Sequence, residues 1–250
     1  MIGTYTRKLA LVLPRSLRDS LKSIVRNGRG RTPGSGSVRF GDFRTLDPID
    51  RDFGYQRGLP IDRYYIENFL RKYSNEIKGV VLEIGEDTYT RKFGSDVQHS
   101  DVLHVCEGNP KATIVADLTS AQNIEADRYD CIIITQTIHL IYELKAVAET
   151  LNRILKKDGL LLVTVPGISQ VKKCEWGDDW NWAFTAQSLR HLFEDKFISS
   201  EMVLTSHGNV LVAMAFLHGL AREELSKKEL DFVDEEYQVL LTLAIRNRAD

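Results

Sequence analysis

The sequence is poor in cysteine and proline, and it has no long apolar run. Its 250 residues include three cysteines and six prolines. Cys106, Cys131 and Cys174 lie far apart, so neither a disulfide framework nor metal-ligand spacing is present, and no metal site is predicted. Such cysteine usage is typical of a reducing compartment, and we expect a cytoplasmic protein. No stretch approaches the roughly 18 apolar residues of a membrane span, and residues 9–13 are too short for a signal peptide.

The charge is small overall but unevenly distributed. The formal net charge is -2, yet residues 1–41 carry nine Lys or Arg and the single acid Asp19. The remainder carries 24 basic and 34 acidic residues. A basic arm on an acidic body predicts an anionic partner for the arm, either a membrane surface or a polyanionic chain. A solvated tail is the alternative.

The basic arm has the pattern of one or two amphipathic helices. Apolar residues recur at three- and four-residue steps through residues 5–27, with Arg and Lys between them. Such a segment could lie on the inner face of an anionic membrane, pack on the body, or contact a second subunit. We assign residues 1–37 to the arm and its Gly/Ser linker, 38–78 to a cap or lid, and 79–250 to the main domain.

After a predicted helix at 61–73, short apolar strands alternate with helices. Strands are predicted at 80–84, 101–105, 113–116, 129–135 and 160–165, and helices at 143–155 and 185–193. Segments 203–206 and 210–216 are predicted to form an antiparallel pair around Gly208-Asn209. The apolar stretch 237–245 could be a core strand or a dimer contact. Almost wholly apolar strands indicate a mainly parallel sheet covered on both faces.

Acidic and polar residues follow these predicted strands. Glu83 and Gly85 end the first strand, Glu107 follows the second, and Asp117 with Leu118 follows the third. Thr135 and Gln136 end the fourth strand. Ligands of open α/β sheets bind at the carboxyl ends of strands, and acids at successive ends suit a cationic or hydroxyl-rich nucleoside better than a phosphate.

Four segments resemble the motifs of class I S-adenosylmethionine-dependent methyltransferases. They are VLEIG at 81–85, Asp117-Leu118, YDCIIITQ at 129–136 and LKKDGLLLVTVP at 155–166. The resemblance implies an α/β, doubly wound, mainly parallel seven-stranded sheet whose last strand is antiparallel. Helices would cover both faces, with an N-terminal helical extension. It also implies S-adenosyl-L-methionine as cofactor.

The resemblance gives each strand-end residue an expected role. Glu83 would meet the cofactor's ammonium, Glu107 its ribose hydroxyls, and Asp117 with Leu118 its adenine. The other expected cofactor contacts are Gly85, Thr88 (or Tyr89), Thr135 and Gln136.

Two departures from the family pattern stand out. The two further glycines of the usual G-x-G-x-G pattern are absent from Gly85-Glu86-Asp87-Thr88-Tyr89-Thr90, which a ligand without phosphate can tolerate. Only nine residues separate Glu107 from Asp117, too few for the usual helix. Segment 38–75 is available to cover that face of the sheet.

Candidate acceptor residues lie in three places. His139, after the fourth strand, could deprotonate a hydroxyl, or could be a partly buried helix residue. Tyr65 belongs to a segment that resembles methyltransferase-like proteins of bacterial surface-glycan gene sets. Trp176, Asp178, Asp179 and Trp180 form the third group. Tryptophan rings and acids suit sugar recognition, although this group could instead join a divalent ion or close the core.

The leading hypothesis is O-methylation of a saccharide or glycan precursor, with a small-molecule or glycan acceptor as partner. The alternative is a non-catalytic methyltransferase-like binding module. A nucleotide-dependent oxidoreductase is disfavoured because the first loop lacks phosphate-cradling glycines. No nucleic-acid partner is expected because the body is acidic. A homodimer and peripheral membrane contact through the arm remain open.

Overall fold

A computed structural model describes residues 33–172, 180–198 and 200–248. The amphipathic part of the basic arm, residue 174 and the predicted acceptor residues Trp176, Asp178 and Asp179 lie outside these ranges. The chain divides into two compact units between Leu46 and Asp47. In the first unit, the described residues include a short 3-10 helix at Gly41–Phe43.

The second unit is built on one seven-stranded sheet. Its strands are β1 (Lys78–Ile84), β2 (Asp96–His104), β3 (Ile114–Val115), β4 (Tyr129–Thr135), β5 (Leu155–Pro166), β6 (Glu201–His207) and β7 (Leu240–Arg246). Their order is β3-β2-β1-β4-β5-β7-β6. The first five strands are parallel, and β7 pairs antiparallel with both β5 and β6. The predicted fold class, including the antiparallel last strand, is confirmed.

Helices cover both faces of the sheet. They are α1 (Ile61–Lys72), α2 (Thr88–Phe93), α3 (Leu144–Ile154), α4 (Ala186–Glu194), α5 (Val210–Leu217) and α6 (Lys227–Asp231), with short 3-10 helices at Ser74–Glu76, Ile138–Leu140 and Arg222–Glu224. Buried residues of α1, α2, α5 and α6 form one hydrophobic core. Those of α3 and α4 form the other.

The two cores explain why the central strands are continuously apolar. Successive side chains of a strand point to opposite faces. In β4, Cys131 and Ile133 therefore join the core under α1, whereas Ile132 and Ile134 join the core under α3. A strand covered on both sides needs apolar residues at every position, which is the pattern that the sequence shows.

Helix α1 packs over the centre of the sheet. Its buried residues are Ile61, Tyr65, Ile66, Phe69 and Leu70. They share a core with residues of β1, β4, β5 and β7. Helix α1 thus does not take the place of the helix missing between β2 and β3, and Val115 of β3 stays 43% exposed.

The predicted hairpin around Gly208-Asn209 is wrong in its second half. Residues after Asn209 form α5, because the Asn209 side chain accepts a hydrogen bond from the Val212 N–H at 3.0 Å and begins a helix. The antiparallel partner of β6 is β7, between β5 and β6. Of the two alternatives for 237–245, the core strand is therefore the observed one.

Two strands begin earlier than the sequence predicted. Strand β2 begins at Asp96, which places Asp101 in its middle and not at its start. Strand β5 begins at Leu155, directly after α3, five residues before its predicted start at 160. A register shift between Tyr129 and Cys131 of β4 accommodates the extra residues of β5.

Within the described ranges, no helix is both long enough and apolar enough to cross a membrane.

Asn209 provides a test of the corrected topology. Its amide also donates to the Glu229 and Phe232 carbonyls, both at 2.8 Å. Asn209→Ala should lower the free energy of unfolding by about 2 kcal/mol, measured by urea denaturation, because a helix cap and two buried bonds are lost. Asn209→Ser keeps a side-chain acceptor at the cap without facing the two carbonyls, and should cost less. A change under about 0.5 kcal/mol for the alanine variant would contradict this interpretation.

Candidate functional site

Two adjoining cavities open at the carboxyl ends of β1 and β4. This is where a ligand is expected in a doubly wound sheet, because the chain crosses to opposite sides of β1 there. The first, which we call the β1–β4 crevice, has a volume of about 720 Å³. The second, which we call the aromatic cavity, has a volume of about 310 Å³.

Three side chains line both cavities and form a shared wall: Tyr55, Arg63 and Gln136. The Arg63 Nε donates to the Tyr55 hydroxyl at 3.2 Å, and its Nη1 donates to Asp62 Oδ2 at 3.3 Å. A ligand in one cavity would therefore lie beside a ligand in the other.

Gln136, in the shared wall, has an unfavourable backbone conformation. It directly follows β4 and has a φ of +47°, which is uncommon for a residue other than glycine. Its N–H donates to the Thr164 carbonyl at 2.9 Å. Such backbone strain, of order 1 kcal/mol or more, is often found at functional sites.

Glu83 lies at the end of β1, 2% exposed, and its carboxylate closes the N-terminus of α2. The Tyr89 N–H donates to Oε1 at 3.1 Å and the Thr90 N–H to Oε2 at 2.7 Å. Burial raises the pKa of Glu83 to about 7, although these N–H groups oppose the rise. Because a carboxylate of the chain already occupies this helix terminus, the terminus cannot cradle a phosphate as in a dinucleotide site.

Gly85 makes the turn out of β1. Its φ is +86°, and an added Cβ would meet nothing within 4 Å, so conformation and not crowding requires glycine here. The Gly85 carbonyl accepts a hydrogen bond from Asn109 Nδ2 at 2.6 Å. Asp87, at the position of a missing family glycine, has an ordinary φ of -104°. The lost glycines are therefore not needed for this turn.

The crevice gathers only part of the predicted cofactor set. Glu83, Gly85, Thr88, Thr135 and Gln136 all line it. Glu107, Asp117 and Leu118 do not.

The three remaining residues are placed elsewhere. Glu107 is exposed, and Leu118 is buried in the core under α3. Asp117 is exposed and shapes a turn, in which its Oδ1 accepts from the Thr119 N–H at 2.8 Å. The expected convergence of Glu83, Glu107 and Asp117 on one crevice is thus not seen.

The connection between β2 and β3 contributes other residues to the crevice. Asn109 lines it beside Gly85, and Lys111 forms an ion pair with Glu86 at 2.9 Å. Asp101 is buried in β2, where its carboxylate accepts a hydrogen bond from Arg128 at 2.7 Å. It is therefore held within the fold by an ion pair.

A cluster of aromatic rings forms part of the lining of the aromatic cavity. The Phe53 ring stacks on Trp180 with centroids 6.4 Å apart and contacts Phe216 at 6.0 Å. The charged residues that line the aromatic cavity form two ion pairs. Lys172 forms an ion pair with Asp52, and Arg63 forms one with Asp62.

His139, the predicted candidate base, lines the aromatic cavity on the 3-10 helix Ile138–Leu140. It is 3% exposed, and its ring lies 4.4 Å from that of Trp180. Burial lowers the pKa of His139 to about 4, so the imidazole is neutral at physiological pH. Its Nδ1 is buried and has no hydrogen-bond partner.

Tyr65 lies apart from both cavities. It is 4% exposed, its hydroxyl donates to the Leu230 carbonyl at 2.8 Å, and its ring stacks on His207 at 5.1 Å. The structure assigns it a packing role instead of the predicted contact with substrate.

The sequence indicated one of the segments that line the aromatic cavity, but not which of its residues do so. The segment 57–65 is dense in polar and aromatic groups, but only helix geometry decides which of them face a cavity. Tyr65 falls one turn after Ile61 on the buried face, whereas Asp62 and Arg63 fall on the side that lines the aromatic cavity. Tyr55 and Phe53 come from the loop before α1, for which periodicity predicts nothing.

No group of three or more His, Cys, Asp or Glu side chains that could hold a metal ion occurs in the described part of the chain.

Comparisons with known proteins agree with this geometry. The sequence profile of the family described as methyltransferase domain matches residues 52–205, more than half of the chain. No curated protein sequence matches.

Solved structures share the fold at low identity. A candidate sarcosine dimethylglycine methyltransferase from Galdieria sulphuraria is 14% identical, with a TM-score of 0.51, over 76% of this chain and 90% of that chain. A phosphoethanolamine N-methyltransferase 2 from Haemonchus contortus, in complex with S-adenosyl-L-methionine, is 13% identical with a TM-score of 0.50. The match covers 74% of this chain and 53% of that one.

The order of the strands, the ligand crevice at the ends of β1 and β4, and the profile match over more than half of the chain lead to one assignment. This chain belongs to the methyltransferase domain family and is a class I, S-adenosyl-L-methionine-dependent methyltransferase.

Proposed function

We propose that this enzyme methylates a hydroxyl oxygen of a saccharide or glycan precursor. The observation that carries the proposal is the aromatic cavity, which combines stacking rings with carboxylates and shares a wall with the β1–β4 crevice. Sugars bind through C–H faces that pack on aromatic rings and through hydroxyls that donate to acids. A cavity of about 310 Å³ has room for one sugar-sized group.

The residues of the crevice fit the cofactor. Its volume of about 720 Å³ lies within the range of cofactor sites. When bound, S-adenosyl-L-methionine supplies an electrophilic methyl group. Glu83 would attract the ammonium of the cofactor, and Gly85 leaves open space beside the methionine moiety. Thr88, Thr135 and Gln136 offer polar groups along the same crevice.

The acceptor would lie against Phe53 and Trp180, with a hydroxyl directed toward the shared wall. His139 is the candidate base, because a neutral imidazole has a free lone pair. With a pKa of about 4 it is a weak base, so most of the acceleration would come from holding the two reactants side by side. Trp176, Asp178 and Asp179 remain predicted acceptor residues.

The basic arm, residues 1–37, bears on where in the cell the enzyme would act. Nine Lys or Arg within residues 1–41 would hold the enzyme near an anionic membrane surface.

The pH dependence of cofactor binding tests the role of Glu83. Only the ionised carboxylate attracts an ammonium, and its pKa of about 7 means that the ionised fraction grows through neutral pH. Affinity for S-adenosylhomocysteine, measured by calorimetry, should therefore rise about tenfold from pH 6 to pH 8.

Two variants distinguish the titration of Glu83 from the titration of the ligand itself. Glu83→Gln should show a much flatter dependence, whereas Glu149→Gln, on the exposed side of α3, should behave like the wild type. An equal pH dependence in wild type and Glu83→Gln would remove Glu83 from the site.

A transfer assay tests the acceptor class. We expect labelled methyl transfer from S-adenosylmethionine to a member of a panel of methyl glycosides and nucleotide sugars. His139→Asn should lower kcat about tenfold, because a base with a low pKa contributes less than a well-matched one, and should leave cofactor affinity unchanged. If cofactor binds and no saccharide is methylated, the saccharide proposal falls while the enzyme class stands.

A further inference from the structure

The aromatic cavity contains a carboxylate oxygen that the protein leaves without a partner. Asp62 Oδ1 is buried and accepts no hydrogen bond, although its other oxygen, Oδ2, pairs with Arg63. The Asp62 side chain is only 13% exposed, and the residue lines the cavity. A buried acceptor without a donor is costly, and each instance requires an explanation.

Helix capping does not provide that explanation. Asp62 lies in the first turn of α1, where an acid commonly receives backbone N–H groups. The N-cap of α1 is Pro60, with no side-chain cap bond. Burial raises the pKa of Asp62 even though the Arg63 guanidinium and the backbone N–H groups of Arg63 and Asp62 oppose the rise, so the folded protein disfavours the ionised carboxylate.

We propose that Asp62 anchors the acceptor, whose hydroxyl donates a hydrogen bond to Oδ1. This inference rests on the proposed function and names the residue that orients the acceptor. Asp62 is fixed by Arg63, and Arg63 is fixed by the Tyr55 hydroxyl, so the anchor is tied to the wall shared with the crevice. A hydroxyl held at Oδ1 places its sugar ring beside that wall, within reach of Phe53 and Trp180.

The neighbouring acid Asp52 provides a matched control. It lines the same cavity, but its carboxylate is neutralised by Lys172 in an ion pair. Removing the charge of Asp62 relieves an unmet acceptor but also breaks the pair with Arg63, whereas removing the charge of Asp52 only breaks a pair. The Asp62 substitution should therefore cost the ligand-free protein no more stability than the Asp52 substitution.

The first test measures melting temperature at pH 8 without ligand. Asp62→Asn should leave Tm within about 2 °C of the wild type, because relief of the unmet acceptor offsets loss of the pair with Arg63. Asp52→Asn, which loses a more exposed pair, should do the same. A fall in Tm of more than about 6 °C for Asp62→Asn alone would show a structural residue and would overturn the inference.

The second test measures binding of the methyl glycosides to the complex with S-adenosylhomocysteine. Asp62→Asn should weaken the acceptor at least tenfold and raise its KM more than it lowers kcat. Affinity for S-adenosylhomocysteine should stay within twofold of wild type. Unchanged glycoside affinity in the variant would refute an anchoring role.

The two proposals fail in different ways. If the wild type binds no glycoside, the saccharide class is wrong, and the Tm comparison alone then decides whether Asp62 is held for a ligand. If the wild type binds glycosides and Asp62→Asn binds them equally well, the acceptor class stands and the anchor is wrong.

Discussion

The hydrogen bonds from the first turn of α2 to the Glu83 carboxylate hold the functional edge of this sheet together. They join the end of β1 to the helix that follows it, across the turn at Gly85. They also bear on which ligand can bind, because a carboxylate held at a helix terminus disfavours a phosphate there. The same burial that fixes Glu83 keeps its pKa near 7, so its charge depends on what binds beside it.

The second constraint is the wall between the two cavities. Tyr55, Arg63 and Gln136 belong to three different parts of the chain and separate the two cavities. Two of the five described non-glycine residues with positive φ line the aromatic cavity, Gln136 at +47° and Phe53 at +56°. The packed sheet supplies the stability that keeps such residues in place, and their fixed geometry is what a reaction governed by positioning requires.

Much of the fold followed from patterns of apolar residues, and the failures have physical causes. Strand β4 was predicted at its observed limits, because a run of seven mostly apolar residues between polar ones is too short for a buried helix and fits a buried strand. Helix α5, with the sequence VLVAMAFL, has no polar residue to reveal a helical period, so it was predicted as a strand. Its partner was then assigned wrongly, because β7 lies far along the chain from β6.

The sequence by itself determined the sheet, the family and the residues at the ends of β1 and β4, because strand ends are fixed by local pattern. Glu83, Gly85, Thr135 and Gln136 meet in one crevice since parallel strands end at one edge. Only the tertiary structure decided which loop and helix residues face that edge. Asp62 and Tyr65 are three positions apart on one helix, yet one lines a cavity and the other is core, because the face of α1 is set by what it packs against.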